Sequence, residues 1–215
     1  MKIKWLGHAS FLITSKDDIK IIIDPYTVGK GLNYSPINES ADIVTSSHLH
    51  GDHNNVGIIK GNPKILKESG SYVVKGVEIK SVSSFHDEAK GSQRGDNLIF
   101  CFRVDGMNLC HLGDLGHKLS QQQILEMGLI DALFVPVGGF FTIDASQATE
   151  IVKAVKPRIT FPMHYKNLKV DYPIAEVDQF IKGKTNVRRL ESSEVEIKKE
   201  TLPEKPEIVV LQSEY

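Results

Sequence analysis

The stretch SSHLHGDHNN at residues 46–55 places three histidines and one aspartate within six positions. The whole chain has only eight histidines in 215 residues, so a cluster of this kind restricts the fold more than any other local feature. It follows ADIVTSS, whose apolar and β-branched residues are typical of a strand. The cluster consists of His48, His50, Asp52 and His53. Because a strand end presents the following loop at a fixed place, the sequence predicts a metal site here rather than a solvated polar loop.

The spacing within the cluster indicates how its side chains divide. Residues two apart lie on the same side of an extended chain, so His48 and His50 are expected to face one way. We expect Gly51 to turn the chain through backbone angles that other residues avoid, which directs Asp52 and His53 elsewhere. Two neighbouring metal ions suit this arrangement better than one. Imidazole and carboxylate ligands favour zinc, with manganese, nickel and iron as alternatives.

Completing ligands are expected at other strand ends. His86 ends the run SVSSFH, Asp114 lies in CHLGDLG, and His164 follows RITFPM. Each stands where a predicted strand runs into a loop. His111 is three residues before Asp114, and an odd separation on a strand points two side chains to opposite faces. We therefore predict that His86, rather than His111, is a metal ligand.

Other residues are candidates for supporting roles in the second shell or the pocket. His8, in LGHAS, is either a structural histidine or a group that lines the pocket. Asp24 ends IIID and is predicted to orient the histidine loop through hydrogen bonds, as carboxylates behind metal-bound imidazoles do. His111 is kept in this supporting set. Lys166, two residues after His164, either adds a cation at the pocket mouth or is an exposed side chain.

The pattern of predicted elements indicates an α/β (α+β) fold. Strand signals dominate the first half, and strands alternate with helical segments in the second half, which favours sheets layered with helices. Ser120 and Asp144 are the expected N-caps of two helices. We predict one domain over residues 1–200. The remaining residues, 201–215, are expected to be an appendage, although EIVVL could add an edge strand.

Composition argues against several classes of partner. The net charge of −1 and the pI near 6.7 give no electrostatic footprint for nucleic acid. No apolar run approaches the ~20 residues of a membrane span, and the N-terminus lacks a signal-peptide pattern. We expect a cytoplasmic protein that acts on a small molecule, and a homo-oligomer is left open.

The two cysteines are expected to face each other across a hairpin. Cys101 and Cys110 pair in a predicted hairpin that turns at Asp105-Gly106, where reduced thiols are favoured over a disulfide.

The ordered motifs resemble those of the metallo-β-lactamase superfamily of metal-dependent hydrolases. They are KWLGHASFLI, IIIDP, SSHLHGDH, SFH, HLGD, PVGGFFTID and PMHY. More closely, the chain resembles the branch related to L-ascorbate-6-phosphate lactonase. The resemblance implies a four-layer αββα sandwich with two metal ions at one edge, between the sheets.

The resemblance also implies roles for individual residues. The implied first site consists of His48, His50 and His86, the second of Asp52, His53 and His164, and Asp114 bridges the two. Asp52 and Asp114 are thereby the expected catalytic carboxylates. A water or hydroxide between the metals would attack an ester, lactone, amide or phosphodiester of a small, anionic substrate. The alternatives are an iron-type redox member of the superfamily and a non-catalytic metal-binding protein.

Overall fold

The computed structural model describes residues 1–215 and contains two β-sheets and three α-helices. The strands are β1 (Lys2–Gly7), β2 (Ser10–Thr14), β3 (Lys20–Ile23), β4 (Ile43–Thr45), β5 (Lys64–Leu66), β6 (Ser71–Val74), β7 (Val77–Phe85), β8 (Asp96–Val104), β9 (Met107–His111), β10 (Ala132–Pro136), β11 (Ile159–Met163), β12 (Val187–Arg189), β13 (Glu194–Glu196) and β14 (Glu207–Val210). The helices are α1 (Gln121–Met127), α2 (Ala145–Val155) and α3 (Val177–Ile181). Single 3₁₀ turns lie at Val56–Ile58 and Lys199–Thr201.

The strands form one six-stranded and one eight-stranded sheet. The first has the order β13-β1-β2-β3-β4-β5, and the second β12-β14-β11-β10-β9-β8-β7-β6. In the second sheet, β6 to β9 are antiparallel hairpins, whereas β9, β10, β11, β14 and β12 run parallel. This mixed arrangement of two sheets and few helices confirms the predicted fold class.

Both faces of the first sheet are buried. In β3, Ile21 and Ile23 belong to the large core shared with the second sheet, whereas Ile22 packs in a smaller cluster on the opposite face. Residues 26–41 cover that outer face through Tyr26, Tyr34 and other apolar side chains. This layer is a loop. The segment contains glycines and Pro36, and it follows Pro25, all of which oppose a helix.

The helices start and pack as their sequences indicate. The side chain of Ser120 accepts a hydrogen bond from Gln123 N–H, and Asp144 caps α2 in the same way. Helix α1 contacts β7 and α2 contacts β10, so both cover the second sheet. The longest of the three, α2, has only 11 residues, and no helix of this chain has the length and apolar character of a membrane span.

The hairpin of β8 and β9 has the predicted register. Val104 pairs with Met107, and Cys101 pairs with Cys110. The two sulfur atoms lie 3.5 Å apart as free, buried thiols. The structure thus has the reduced pair that we expected for these two cysteines.

The C-terminal segment corrects the expectation of an appendage or edge strand. Strand β14 lies inside the second sheet, between β11 and β12. Its residues Ile208, Val209 and Val210 are buried in the main core. Pro203 and Pro206 precede the strand and leave its ladder intact. Residues 207–210 are therefore part of the fold.

Candidate metal centre

The predicted ligands meet at one edge of the sandwich because they follow strands of both sheets. The loop of residues 46–55 follows β4 of the first sheet. His86 comes directly after β7 and His164 directly after β11, both in the second sheet. Asp114 lies three residues beyond the end of β9. Side chains that are far apart in sequence therefore converge between the sheets.

The converging side chains form three groups, within each of which the potential ligand atoms lie within 4.8 Å of one another; the third, which consists of His48, His53 and Asp114, shares a member with each of the other two. The first group is His48, His50 and His86. The second group is His8, Asp52, His53 and His164. Six of these seven residues were predicted as ligands, and His8 is the addition.

Asp114 lies between the two groups. Its Oδ2 is 3.2 Å from His86 Nε2 of the first group. The same oxygen is 3.2 Å from His53 Nε2 and 3.3 Å from His164 Nε2 of the second. Ligand atoms around one tetrahedral zinc ion are about 3.3 Å apart when the bonds are about 2.0–2.1 Å. These separations therefore fit atoms that share metal ions, with Asp114 common to both groups.

Buried polar atoms without partners support the same interpretation. His48 Nε2, His53 Nε2, His164 Nδ1 and Asp114 Oδ1 have no hydrogen-bond partner in the protein. Buried polar groups are nearly always paired, because an unpaired one costs free energy. Metal ions coordinated by these side chains would pair with the free lone pairs of their nitrogen and oxygen atoms. A donor set of histidines and aspartates suits divalent transition metals.

The ionisation of the centre is set by burial and by its own carboxylates. Burial lowers the pKa of His53, but Asp114 and Asp52 outweigh it and raise that pKa well above its ordinary value. Burial raises the pKa of Asp114, and His164 and His53 reverse this, leaving the pKa well below normal. Burial lowers the pKa of His48 to about 3 and that of His8 to about 4. Ionised carboxylates thus lie beside the neutral rings of His8 and His48 and beside His53, which holds a proton that a bound cation would displace.

Asp24 makes the hydrogen bonds predicted for it. Its carboxylate accepts from Ser47 N–H at 2.7 Å and from Ser47 Oγ at 2.6 Å. It also lies 2.9 Å from His53 Nδ1. Because Nδ1 is held by Asp24, His53 directs Nε2 towards Asp114. A carboxylate in this position fixes the imidazole tautomer.

His111 is separate from both groups, although β9 ends at His111 and strand parity therefore does not extend to Asp114. Its Nε2 lies 2.8 Å from the carbonyl oxygen of Ala9, and its Nδ1 accepts a hydrogen bond from Gly113 N–H at 3.1 Å. Both ring nitrogens are therefore occupied by backbone groups. The structure brings His86, not His111, to the first group.

Asn97 is a site residue that the sequence did not reveal. Its Oδ1 accepts a hydrogen bond from Asp114 N–H at 2.9 Å, and its Nδ2 donates to Ser84 Oγ and to the Leu112 carbonyl. The side chain is fully buried. Asn97 thereby fixes the loop that carries Asp114. Its position in β8, ahead of any recognisable motif, gave no signal of this role.

The expectation for Gly51 is wrong, and for Lys166 the alternative of a cation at the pocket mouth is not met. Gly51 does not have a positive φ, and a Cβ atom added there would meet nothing within 4 Å. The turn is closed instead by His53 N–H donating to the His50 carbonyl at 3.0 Å. Lys166 does not stand at the mouth of the metal centre: its Nζ lies 3.4 Å from the Tyr172 carbonyl, and it lines a neighbouring cavity beside Trp5.

A cavity of about 400 Å³ opens beside the first group and is lined by His86. Arg94 and Thr142 contribute polar groups to its wall. The Arg94 guanidinium carbon lies 5.7 Å from the centre of the Phe141 ring, and no carboxylate forms an ion pair with it. Phe140, 63% exposed, packs against Phe141 with ring centres 4.7 Å apart. The cavity thus combines the Arg94 cation and an aromatic rim with two carboxylates, those of Asp87 and Glu88.

The loop that carries Arg94 is shaped by one buried carboxylate. Asp87 accepts four backbone hydrogen bonds of 2.7–3.0 Å, from Ala89, Gly91, Gln93 and Arg94. Asp87 directly follows His86 in the chain. The same short segment therefore supplies a predicted metal ligand and places a cation beside it.

Comparison with known proteins agrees with this architecture. Residues 2–164 match the β-lactamase superfamily domain. The chain is 31% identical over 226 residues to a UPF0173 metal-dependent hydrolase of Pelotomaculum thermopropionicum, covering 92% of this chain and 96% of the relative. It also resembles a crystal structure from Thermotoga maritima, assigned to the Zn-dependent hydrolases of the metallo-β-lactamase superfamily, with a TM-score of 0.84, 35% identity and 99% coverage of both chains. The chain therefore belongs to the UPF0173 metal-dependent hydrolases of the metallo-β-lactamase superfamily.

Proposed function

We propose that this chain is a hydrolase with a dinuclear metal centre. The observation that carries the proposal is the position of Asp114 Oδ2, which is 3.2 Å from His86 of one group and 3.3 Å from His164 of the other. A single carboxylate shared by two ligand groups is an arrangement that suits two ions. Zinc is the first choice for this histidine-rich set, with manganese, nickel and iron as alternatives.

The chemistry of such a centre is hydrolytic. Two divalent ions lower the pKa of a shared water towards neutrality and polarise a carbonyl or phosphoryl oxygen. Asp114 and Asp52 supply the negative charge that balances them, because both pKa values are held below the ordinary range despite burial. Asp24 keeps His53 in one orientation throughout. We propose esters, lactones and phosphodiesters as the substrate bonds.

We further propose that the substrate is small and anionic. A cavity of about 400 Å³ suits a small molecule, and Arg94 is the cation beside it that lacks a carboxylate partner. Metal ions in the same site would add to the attraction for anions. A sugar-phosphate lactone, of the kind implied by the resemblance in sequence, meets this description.

A metal-controlled activity screen tests the hydrolytic proposal. The protein is stripped with a chelator, reloaded separately with zinc, manganese, nickel or iron, and assayed on matched esters, lactones and phosphodiesters. We expect hydrolysis of at least one class that is lost on stripping and restored by metal. A non-catalytic metal-binding protein would bind the ions without turnover. An iron-type redox member would consume oxygen only in the iron-loaded form, and either result would contradict the proposal.

Charge-matched substrates test the anionic preference. We expect Arg94→Gln to raise the KM for a phosphate- or carboxylate-bearing substrate while leaving the KM for its neutral analogue unchanged. Lys166→Ala is the matched control, because it removes a cation that lines the neighbouring cavity. Equal catalytic efficiency of the wild-type protein for charged and neutral substrates, independent of salt, would contradict this part of the proposal.

A further inference from the structure

His8 is a fully buried histidine whose ring has no hydrogen-bond partner. Its exposed fraction is 0%, and neither Nδ1 nor Nε2 is paired within the protein. The contrast with His111 is informative, since that equally buried ring uses both nitrogens on backbone groups. Nδ1 is unpaired and Nε2 has only the Asp52 carboxylate near it, so a cation shared with that carboxylate would satisfy Nε2.

The surroundings of His8 identify the chemistry of that partner. Its Nε2 lies 3.4 Å from Asp52 Oδ2, and its ring centre lies 4.1 Å from that of His164. The ring of His53 is 5.3 Å away. The distance between His8 and Asp52 is close to the about 3.3 Å that separates two ligands of one tetrahedral ion. The side chain is therefore directed at the second ligand group.

The backbone holds His8 in this position. The residue lies in the turn between β1 and β2 with a φ of +52°, an uncommon conformation for a residue other than glycine. Its carbonyl oxygen accepts hydrogen bonds from Trp5 Nε1 at 3.0 Å and from His164 N–H at 3.2 Å. His164 has a positive φ as well, of +51°. Two strained residues are thus joined directly, and strain of this kind is concentrated at functional sites.

We propose that His8 is a protein ligand of the second metal ion, together with Asp52, His53 and His164. This inference rests on the proposed function only in requiring that the centre binds metal. It makes the two sites unequal. The second ion would have four protein ligands besides the shared Asp114, whereas the first would have three histidines. Positions open to substrate would then lie mainly at the first ion, which adjoins the cavity lined by His86 and Arg94.

Metal binding by variants of His8 tests the proposal without relying on activity. His8→Asn is suitable because asparagine tolerates a positive φ, and His8→Gln provides a second variant of greater length. His111→Asn is the matched control, since it removes an equally buried histidine that belongs to neither ligand group. Metal content per folded chain, chelator competition and the visible spectrum of the Co²⁺-loaded protein are measured for each.

We expect both His8 variants to retain one tightly bound ion and to lose affinity for the other by at least about tenfold, a loss that even indirect changes behind metal ligands produce. The Co²⁺ spectrum should change in both variants, and the control should keep two ions and the wild-type spectrum. The proposal for His8 would be overturned if both variants bound two ions with wild-type affinity and kept the wild-type spectrum. That result would leave the proposed function intact. A wild-type protein that binds no metal would refute the proposed function as well.

Discussion

At the scale of single residues, the centre depends on how a few buried polar atoms are oriented. Asp114 is held by Asn97 through its backbone N–H, and His53 is held by Asp24 through Nδ1. Neither Asn97 nor Asp24 belongs to a ligand group. Because each fixes one ligand, the geometry of the centre is determined largely before any metal binds.

Asp114→Asn tests the bridging role of the carboxylate. The substitution keeps the shape of the side chain and removes the negative charge shared by both groups. We expect the variant to lose one of two bound ions and to reduce kcat/KM by at least about 100-fold, since even changes behind a ligand cost about 10- to 100-fold. Metal analysis and steady-state kinetics on the same preparation measure both effects. Wild-type metal content and activity would rule out a bridging Asp114.

Metal binding should release protons and strengthen as pH rises. Burial lowers the pKa values of His53 and His86, but neighbouring carboxylates, Asp114 above all, outweigh burial and raise them. Both rings therefore hold their protons to higher pH than a free imidazole does, and metal must displace those protons. We expect loading with metal to release protons, and more of them as the pH is lowered. Calorimetry in buffers of different ionisation enthalpy measures this release, and binding that is independent of pH would contradict it.

At the scale of elements, the centre is a set of loops that follow strands of two sheets. The sequence predicted these loops well, because polar ligands at the ends of apolar strands are a local pattern. The structure groups His86 and not His111 with the candidate ligands, although strand parity is not the reason, because β9 ends at His111 and Asp114 lies in the following loop. The shape of the loops was less predictable. Gly51 does not make the turn expected of it, because a hydrogen bond between His53 and His50 closes that turn.

Two glycines of the metal loops should differ sharply in their tolerance of alanine. A Cβ atom on Gly116 would lie 2.3 Å from the His86 carbonyl carbon, whereas one on Gly51 would meet nothing within 4 Å. Neither glycine has a positive φ, so the comparison isolates steric contact. We expect Gly116→Ala to displace His86 and weaken metal binding by at least about tenfold, and Gly51→Ala to bind metal normally. Chelator competition measures both, and equal affinities would contradict the packing argument.

At the scale of the whole molecule, long-range pairing is what the sequence could not supply. Periodicity indicates which residues of a strand are buried, but it does not indicate which other strand lies alongside. The sequence therefore predicts an appendage or an edge strand for residues 201–215, whereas β14 pairs between β11 and β12. Arg94 was missed for the same reason, because its proximity to the metal centre arises from the fold of a loop and not from a motif.

Ile208 should contribute to the free energy of unfolding as a core residue does. It is 3% exposed within β14, and removing a buried isoleucine side chain costs about 2–5 kcal/mol. We expect Ile208→Ala to lower the free energy of unfolding by that amount. Leu168→Ala is the matched control, because this leucine is fully exposed and its loss should change stability by less than about 0.5 kcal/mol. Denaturant unfolding of the metal-free proteins measures both, and equal, negligible effects would favour a dispensable appendage.

Anomalous X-ray diffraction from crystals of the metal-loaded protein distinguishes a dinuclear centre from any other arrangement. We expect two peaks at the absorption edge of the bound metal, about 3.5–4 Å apart, as in dinuclear hydrolytic sites. One should lie among His48, His50 and His86, and the other beside His53 and His164, with Asp114 between them. A single peak within either group, or a metal bound elsewhere on the molecule, would contradict a dinuclear centre.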